Sequence, residues 1–349
     1  MHIRSLRQLN YRNLVVPETS FGPGVIAIAG ANGAGKSNLL EALYLVATGE
    51  LPGGRLADTV RLGEQEGFVG AVTESRQGVR EITVGFAPGR RQLRLDNQPL
   101  TSAELAKHFT AVLISPEDSD LIHGPPAGRR RYIDSLLARI SLRYALVLRE
   151  YMRVLEQRNA VLKGAGVNDP TFELWTDRFV QLGSEIDQLR ARLVGRLAPL
   201  VAEVYESVAQ RPDVIGTELV FKRDAEPLAE ALVRHRQEEA ARRVTVVGPH
   251  RDDVFFTIAG QPVATFGSRG EARSVALALK IAELRLLSEK HNEPPVLLID
   301  DFTAELDAQR QTALLAVAEE AEQAFITGTQ AATHAAVQYV ITGGALTSE

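Results

Sequence analysis

Gly24 to Ser37 reads G-V-I-A-I-A-G-A-N-G-A-G-K-S, and this stretch decides the fold. Its first six residues are apolar and rich in β-branched types, which predicts a buried strand. Gly30-Ala31-Asn32-Gly33-Ala34-Gly35-Lys36-Ser37 then matches G-x-x-x-x-G-K-S. Glycines let the backbone bend until its N–H groups surround phosphate oxygens. Lys36 is placed to reach the β- and γ-phosphates, and the Ser37 hydroxyl to hold Mg²⁺. From Asn38 to Leu45 apolar residues recur at helical spacing until Gly49 stops them. A helix start behind the loop adds its dipole to the anion site. Strand, glycine loop and helix together predict a P-loop that binds ATP with Mg²⁺.

A second stretch completes the chemistry. Val296-Leu297-Leu298-Ile299-Asp300-Asp301 is an apolar strand ending in two carboxylates. Beside a P-loop, Asp300 is placed to hold Mg²⁺ through its water shell. Asp301 then becomes the group that polarises the attacking water, with Lys36 as the other catalytic residue. Ser268-Arg269-Gly270-Glu271 precedes a further helical pattern. A serine and a glycine there supply a cap and a close backbone approach, which also suits an anion.

Composition narrows the class. Apolar residues make up 45% and charged residues 24% of the 349, the balance of a globular protein with a sizeable core. Cysteine is absent, which excludes disulfides and thiolate metal sites. The opening Met1-His2-Ile3-Arg4-Ser5-Leu6 lacks a signal-peptide layout, and no apolar run approaches the ~20 residues of a membrane span. A soluble, cytoplasmic protein without a membrane partner is expected. With a net charge of −5, any nucleic acid must be held by a local basic patch.

Along the chain, Phe68 to Thr73, Ile82 to Phe86 and Gln92 to Leu95 read as a small antiparallel meander, with turns at Pro88-Gly89 and Asp96-Asn97. Gly128 to Lys163 and Phe172 to Gln210 read as two long helices forming an antiparallel pair, Pro199 bending or breaking the second. Strands are expected at Val244 to Val247, Val254 to Ile258, Val296 to Ile299 and Ala324 to Thr327, with helices over Glu271 to Lys290 and Ala308 to Gln323. The expectation is an α/β fold with mixed sheets and an inserted α-helical lobe. Residues 1–115 with 290–349 form the ATP-binding lobe, and 116–289 a mainly helical lobe.

The order of these motifs resembles that of ABC-type ATPases. There S-x-G-Q/E is the signature, and Ala304-Glu305-Leu306-Asp307 matches the D-loop. More specifically, Thr245-Val246-Val247-Gly248-Pro249-His250-Arg251-Asp252-Asp253 is similar to the T-x-x-G-P-H-x-x-D string of the RecF family. Asn10-Tyr11-Arg12-Asn13, Ser115-Pro116-Glu117-Asp118, Gly124-Pro125-Pro126, Arg129-Arg130-Arg131-Tyr132-Ile133-Asp134 and Gln157-Arg158-Asn159-Ala160 resemble the same family in the same order. The resemblance spans nearly the whole chain. It implies an SMC/Rad50 head-like P-loop ATPase that forms an ATP-dependent homodimer. Arg12 would join the nucleotide site, and Ser268, Gly270 and Asp307 would act across the dimer.

It also implies binding of gapped and single-stranded DNA in replication, recombinational repair and the SOS damage response, with RecR and RecO helping to load RecA. The ATPase would be a slow switch rather than a metabolic enzyme. Arg129, Arg130 and Arg131 are the first choice for DNA phosphate contacts, with Arg139, Arg143, Arg4 and Arg7 as further choices. His250 is expected to be a satisfied structural histidine. An SMC/Rad50-like chromosome-organising head lacks its long coiled coil here. A transporter ATPase subunit lacks its Q-loop glutamine near Val112 to Glu117 and its switch histidine near Gly328-Thr329, where Thr327 or Thr329 stands as a weak γ-phosphate sensor. Asp301 is one methylene shorter than the usual glutamate, so turnover far below ~10 s⁻¹ is expected.

Overall fold

Strands buried on both faces of a parallel sheet read as unbroken apolar runs, because helices or a second sheet cover each side. Val296–Ile299 and Ala111–Ile114 are of this kind, with every residue buried. In this computed structural model they lie side by side in a six-stranded sheet. Its order is Ala345–Ser348, Val337–Thr342, Gly24–Ala29, Gln323–Gly328, Val296–Ile299, Ala111–Ile114. All its pairings are parallel except the terminal hairpin of Val337–Thr342 with Ala345–Ser348. The structure describes residues 1–16, 18–209, 214–223, 226–301, 308–329 and 337–348.

The helix Lys36–Thr48 carries apolar side chains all round, and Leu39, Leu40, Ala42, Leu43, Leu45, Val46 and Ala47 are buried. Such a helix needs cover on more than one side. It finds it between the parallel sheet and a second, fully antiparallel sheet. That sheet runs Glu18–Ser20, His2–Leu9, Gly67–Ser75, Gly78–Ala87, Arg90–Leu95, Gln98–Pro99. The expected meander is therefore its centre, and the first strand of the chain pairs onto it through Leu9 and Phe68. Buried residues of both sheets and the helix share one hydrophobic core. Gln323 ties the layers: its carboxamide accepts from Ile3 N at 2.7 Å and donates to Ile3 O and Gly22 O at 2.9 and 2.8 Å.

The chain divides into two units, residues 1–118, 207–210 and 277–349 forming the first, 119–206 and 211–276 the second. In the second unit, the helix expected from Gly128 to Lys163 is two helices, Pro126–Ile140 and Leu142–Lys163. Ser141 breaks it: its backbone is extended and its hydroxyl accepts the Tyr144 N–H as an N-cap. Phe172–Ala209 runs through Pro199 without ending, so the proline does not break this helix. The antiparallel pairing of the two long helices is written in their contacts. Arg143 meets Glu185, Glu150 meets Arg178, Arg158 meets Thr176, and Tyr151 stacks on Phe179 at 5.0 Å.

One strand expectation needs correction, and the strand expected at Val254 to Ile258 is present as Asp253–Ile258. Val244 to Val247 forms no strand, because side chains claim its backbone: Thr245 N donates to Asn159 and Val246 N to Glu239. Asp253–Ile258 instead pairs with Ile215–Val220 and Gln261–Pro262, two strands the apolar pattern did not reveal. The last helix ends at Glu320 rather than Gln323, and the C-terminal hairpin was likewise unforeseen.

The T-x-x-G-P-H-x-x-D string proves to be a buried polar node. Arg158, 1% exposed, forms a two-pronged pair with Glu239 and donates to the Thr245 hydroxyl at 2.7 Å. Gly248 has φ of 128° and abuts Phe179 and Tyr151 so closely that a Cβ would lie 2.8 Å from the Phe179 ring. His250 Nδ1 lies 2.7 Å from the Tyr151 hydroxyl and Nε2 3.2 Å from the Thr245 carbonyl. A carbonyl can only accept, so the proton sits on Nε2 and Nδ1 accepts from Tyr151. His250 is thus the satisfied structural histidine expected. Burial pushes it down from 6.5 to about 4, with the Arg251, Arg130 and Arg158 charges adding to the effect and the Thr245 carbonyl opposing it.

A depressed folded pKa gives stability that is present above 6.5 and lost as pH falls toward 4. Asp187, which burial raises to about 6, works with the opposite sign. Comparison of wild type with His250→Asn isolates the histidine: between pH ~7 and ~5 wild type should lose about 2 kcal/mol more unfolding free energy than the variant. Urea unfolding at the two pH values measures it, and equal losses would contradict a buried neutral His250.

Candidate functional site

The glycine loop gets its shape from positions no other residue fills easily. Gly33 and Gly35 have φ of 77° and 114°. Gly35 is the N-cap of Lys36–Thr48, and no side chain caps this helix. Its first N–H groups are left without intrahelical partners and point out of the helix start, an arrangement suited to an anion. A Cβ on Gly30 would lie 2.6 Å from Ile341 O, and one on Gly35 3.1 Å from Asn13 Oδ1. The loop is braced on both sides. Asn13 Nδ2 reaches Gly33 O at 3.4 Å, Asn38 Nδ2 donates to Asn13 Oδ1 at 2.8 Å, and Gly344 N donates to Ala34 O at 2.9 Å.

The Lys36 ammonium is buried and donates to Gly30 O at 2.8 Å and Ala31 O at 3.1 Å. A depression of about 300 Å³ opens over the loop, lined by Asn32, Gly33, Gly35, Lys36, Ser37, Asn38, Asp300 and Asp301. The two sequence motifs, more than two hundred residues apart, thus meet at the same opening through the parallel sheet. Behind the two aspartates the buried Thr327 hydroxyl donates to Asp300 Oδ1 at 2.6 Å, and Asp301 N donates to Thr327 Oγ1 at 3.0 Å. Asp301 has φ of 47°, and its Oδ1 is buried without a hydrogen-bond partner.

A buried carboxylate oxygen left unpaired is expensive unless a ligand or water completes it. Orphan amides, an ammonium, a hydroxyl and two carboxylates around one opening fit a nucleoside triphosphate with a divalent cation. Ser37 and Asp300 would hold the cation, whose contribution is to offset triphosphate charge.

The other expected site residues are distributed as follows. Arg12 is held by Glu41 of the loop's helix at 2.7 Å, beside the opening rather than lining it. Burial raises the Glu41 pKa against the pull of Arg12, with Asp300 a smaller push in the same direction. Ser268 and Gly270 stand in the second unit, at the start of the helix Arg269–His291. The exposed Ser268 and the half-buried Glu271 form a reciprocal cap, Ser268 N to Glu271 Oε2 at 2.8 Å and Glu271 N to Ser268 Oγ at 3.2 Å. Ala304 to Asp307, the D-loop string, lies outside the described residues. At the Q-loop position, Ser115 N donates to Asp118 Oδ2 at 2.7 Å, closing a turn after Ala111–Ile114, and burial lifts Asp118 to about 6. Among the described residues no cluster of His, Cys, Asp and Glu forms a separate metal site.

The arginine cluster needs correction. Arg129 is buried, forms a two-pronged pair with Asp253 at 2.8 and 2.9 Å, and donates to Gly124 O at 2.8 Å. Its guanidinium is turned to these internal acceptors inside the second unit rather than presented at the surface. Arg130 donates to Asp252 O at 2.8 Å, and Arg139 is buried. Arg143 pairs with Glu185, Arg4 with Glu74 and Arg7 with Glu81. Arg131 is exposed. Sequence reading overlooked Asn13, Asn38 and Gly344 around the loop. Asn13 stood in the Asn10-Tyr11-Arg12-Asn13 string, but the other two carried no separate signal.

A family model described as the RecF/RecN/SMC N terminal domain matches residues 2–343. The chain is 45% identical over 350 residues to the DNA replication and repair protein RecF of Deinococcus deserti, covering 100% of this chain and 96% of that one. It is 44% identical to RecF of Deinococcus radiodurans, covering 97% and 93%. A solved structure of the recombination mediator protein RecF with ATP superimposes with a TM-score of 0.93 at 27% identity over 99% of this chain and 97% of that one. An Smc head domain from Pyrococcus furiosus shares the fold, with a TM-score of 0.55 at 17% identity over 100% and 96%.

Two substitutions test the loop. Gly35→Ala forces a side chain into a backbone region costing about 1–2 kcal/mol, and should weaken ATP affinity about tenfold with the fold intact. Lys36→Met should abolish binding or hydrolysis. Fluorescent-nucleotide titration beside circular dichroism is the check, and unchanged affinity in both variants would contradict the site.

Proposed function

The chain belongs to the RecF family within the RecF/RecN/SMC N-terminal domain group, and from that premise we propose that it is an ATP-gated DNA-binding protein of recombinational gap repair. The observation that carries this reading is the uncapped helix start behind Gly35, with Lys36 and the Asp300-Asp301 pair at the same opening. The relatives, DNA replication and repair proteins, support the repair role, and the ATP-bound RecF structure supports the ligand.

In this reading ATP with Mg²⁺ binds at Gly30 to Ser37 and closes two copies head to tail. Ser268, Gly270 and Asp307 of each copy complete the site of the other. The exposure of Ser268 suits that use, since its capping bonds leave it accessible at the helix start. Lys36 balances the charge of the transferred phosphoryl group, Asp301 orients water, and Ser37 and Asp300 hold the cation. ATP must then bind the closed dimer far more tightly than the open monomer, and slow hydrolysis reopens it.

DNA with a single-stranded gap is the partner, held through phosphates by exposed basic side chains, Arg131 among them. RecR and RecO are the partners that the RecFOR pathway named for the similar structure supports, and RecA is carried over from the family resemblance. Among the described residues no helix is long and apolar enough to cross a membrane.

Sedimentation with ATP and gapped duplex tests the reading. Wild type should shift from monomer to dimer with ATP and bind the gapped DNA. Ser268→Arg should still bind ATP yet stay monomeric. A wild type that remains monomeric and ignores DNA, or a Ser268 variant that dimerises normally, would contradict it.

A further inference from the structure

Behind the acidic pair that lines the nucleotide opening, one buried side chain touches both of its members. Thr327 is fully buried near the end of Gln323–Gly328, the strand that pairs with the loop's strand on one side and the acidic strand on the other. Its single hydroxyl proton goes to Asp300 Oδ1 at 2.6 Å, while the Ile299 carbonyl lies at 3.5 Å. Its lone pair takes the Asp301 N–H at 3.0 Å. The next residue, Gly328, accepts from Gly30 N at 3.2 Å, so the same strand end also holds the start of the glycine loop.

We propose that Thr327 is the positioning residue of the metal-holding carboxylate, and not a sensor of the γ-phosphate. With its one proton donated and its oxygen accepting, the hydroxyl has no proton left for a phosphate. What it does is fix two things at once. Oδ1 of Asp300 is anchored, which leaves Oδ2 as the oxygen available toward the cation. The Asp301 backbone is anchored in its left-handed turn, φ of 47°, which holds that carboxylate over the opening. Groups that orient a metal-holding carboxylate in this way typically set affinity or activity by 10–100-fold.

The inference rests on the nucleotide-binding reading and extends it to how the acidic pair is aimed. The test uses the full chain and a fluorescent ATP analogue, titrated with Mg²⁺ and, separately, in EDTA. Thr327→Val keeps the shape and removes the hydroxyl. It should raise the Mg²⁺ half-saturation about tenfold and lower kcat, while affinity in EDTA stays within about twofold of wild type. Thr327→Ser should restore the Mg²⁺ response. Thr327→Cys, with its weak donor, should fall between, and it decides the matter if the valine variant does not fold. A Mg²⁺ half-saturation equal to wild type in the folded valine variant or in the cysteine variant overturns the proposal, since a merely structural threonine would move only the melting temperature. A serine variant as impaired as valine also overturns it. Wild type that takes up no analogue with or without Mg²⁺ overturns both this inference and the reading beneath it.

Discussion

A helix whose N-terminus is left open is an unusual thing to bury in the middle of a protein, and the first unit is arranged around one. Lys36–Thr48 begins at a glycine that offers no side-chain cap, so its leading amides depend on something from outside the chain. The apolar surroundings make this possible. Two sheets clamp the helix along its length, and the strands beside it end at the same level, so the loop, the acidic strand and Thr327 converge where the amides emerge. The dipole of a helix fixed this firmly acts on a ligand without reorganising.

Around that start, close contacts replace flexibility. Gly30 has no room for a Cβ, Gly35 leaves only a tight one against the Asn13 side chain, and the Gly343-Gly344 turn comes so near Asn13 that a Cβ on Gly344 would sit 1.9 Å from its carbonyl oxygen. Residues from the beginning and the end of the chain thus set the shape of a loop that belongs to neither. The second unit keeps its order by other means. Arginines there are consumed internally: Arg129 on Asp253, Arg158 on Glu239, Arg190 on Asp134, Arg223 on Asp187 and Asp252. Removing one partner of such a buried pair leaves a charge stranded, typically a loss of about 3–5 kcal/mol. The strings that resemble the RecF family in this unit therefore describe a packing solution for its buried charges.

What could be read in the sequence follows from where the determinants lie. Gly24–Ala29 and Val296–Ile299 were legible to the residue because burial on both faces leaves only apolar choices. Gly49 was legible as a helix stop because a left-handed cap needs glycine, and its φ is 71°. Ile215–Val220 was not, since its strand character comes from pairing with Asp253–Ile258 and its own residues are mixed. Val244 to Val247 failed for the converse reason: it looks like a strand, but Asn159 and Glu239 capture its donors. Arg129 looked like a phosphate contact because a run of arginines gives no sign of which one will find a buried aspartate. The nucleotide site was legible in its glycines, lysine and carboxylates; Asn13 and Thr327 stood in named stretches without their contacts being readable, and Asn38 and Gly344 act through three-dimensional proximity alone.

The most direct measurement is amide hydrogen exchange over residues 30–38 with and without ATP and Mg²⁺. The account expects the N–H groups at the start of Lys36–Thr48 to exchange rapidly in the free protein and to become protected when nucleotide is present, because phosphate oxygens become their only acceptors. Protection already present without nucleotide, or nucleotide-induced protection elsewhere with none in this segment, would contradict it.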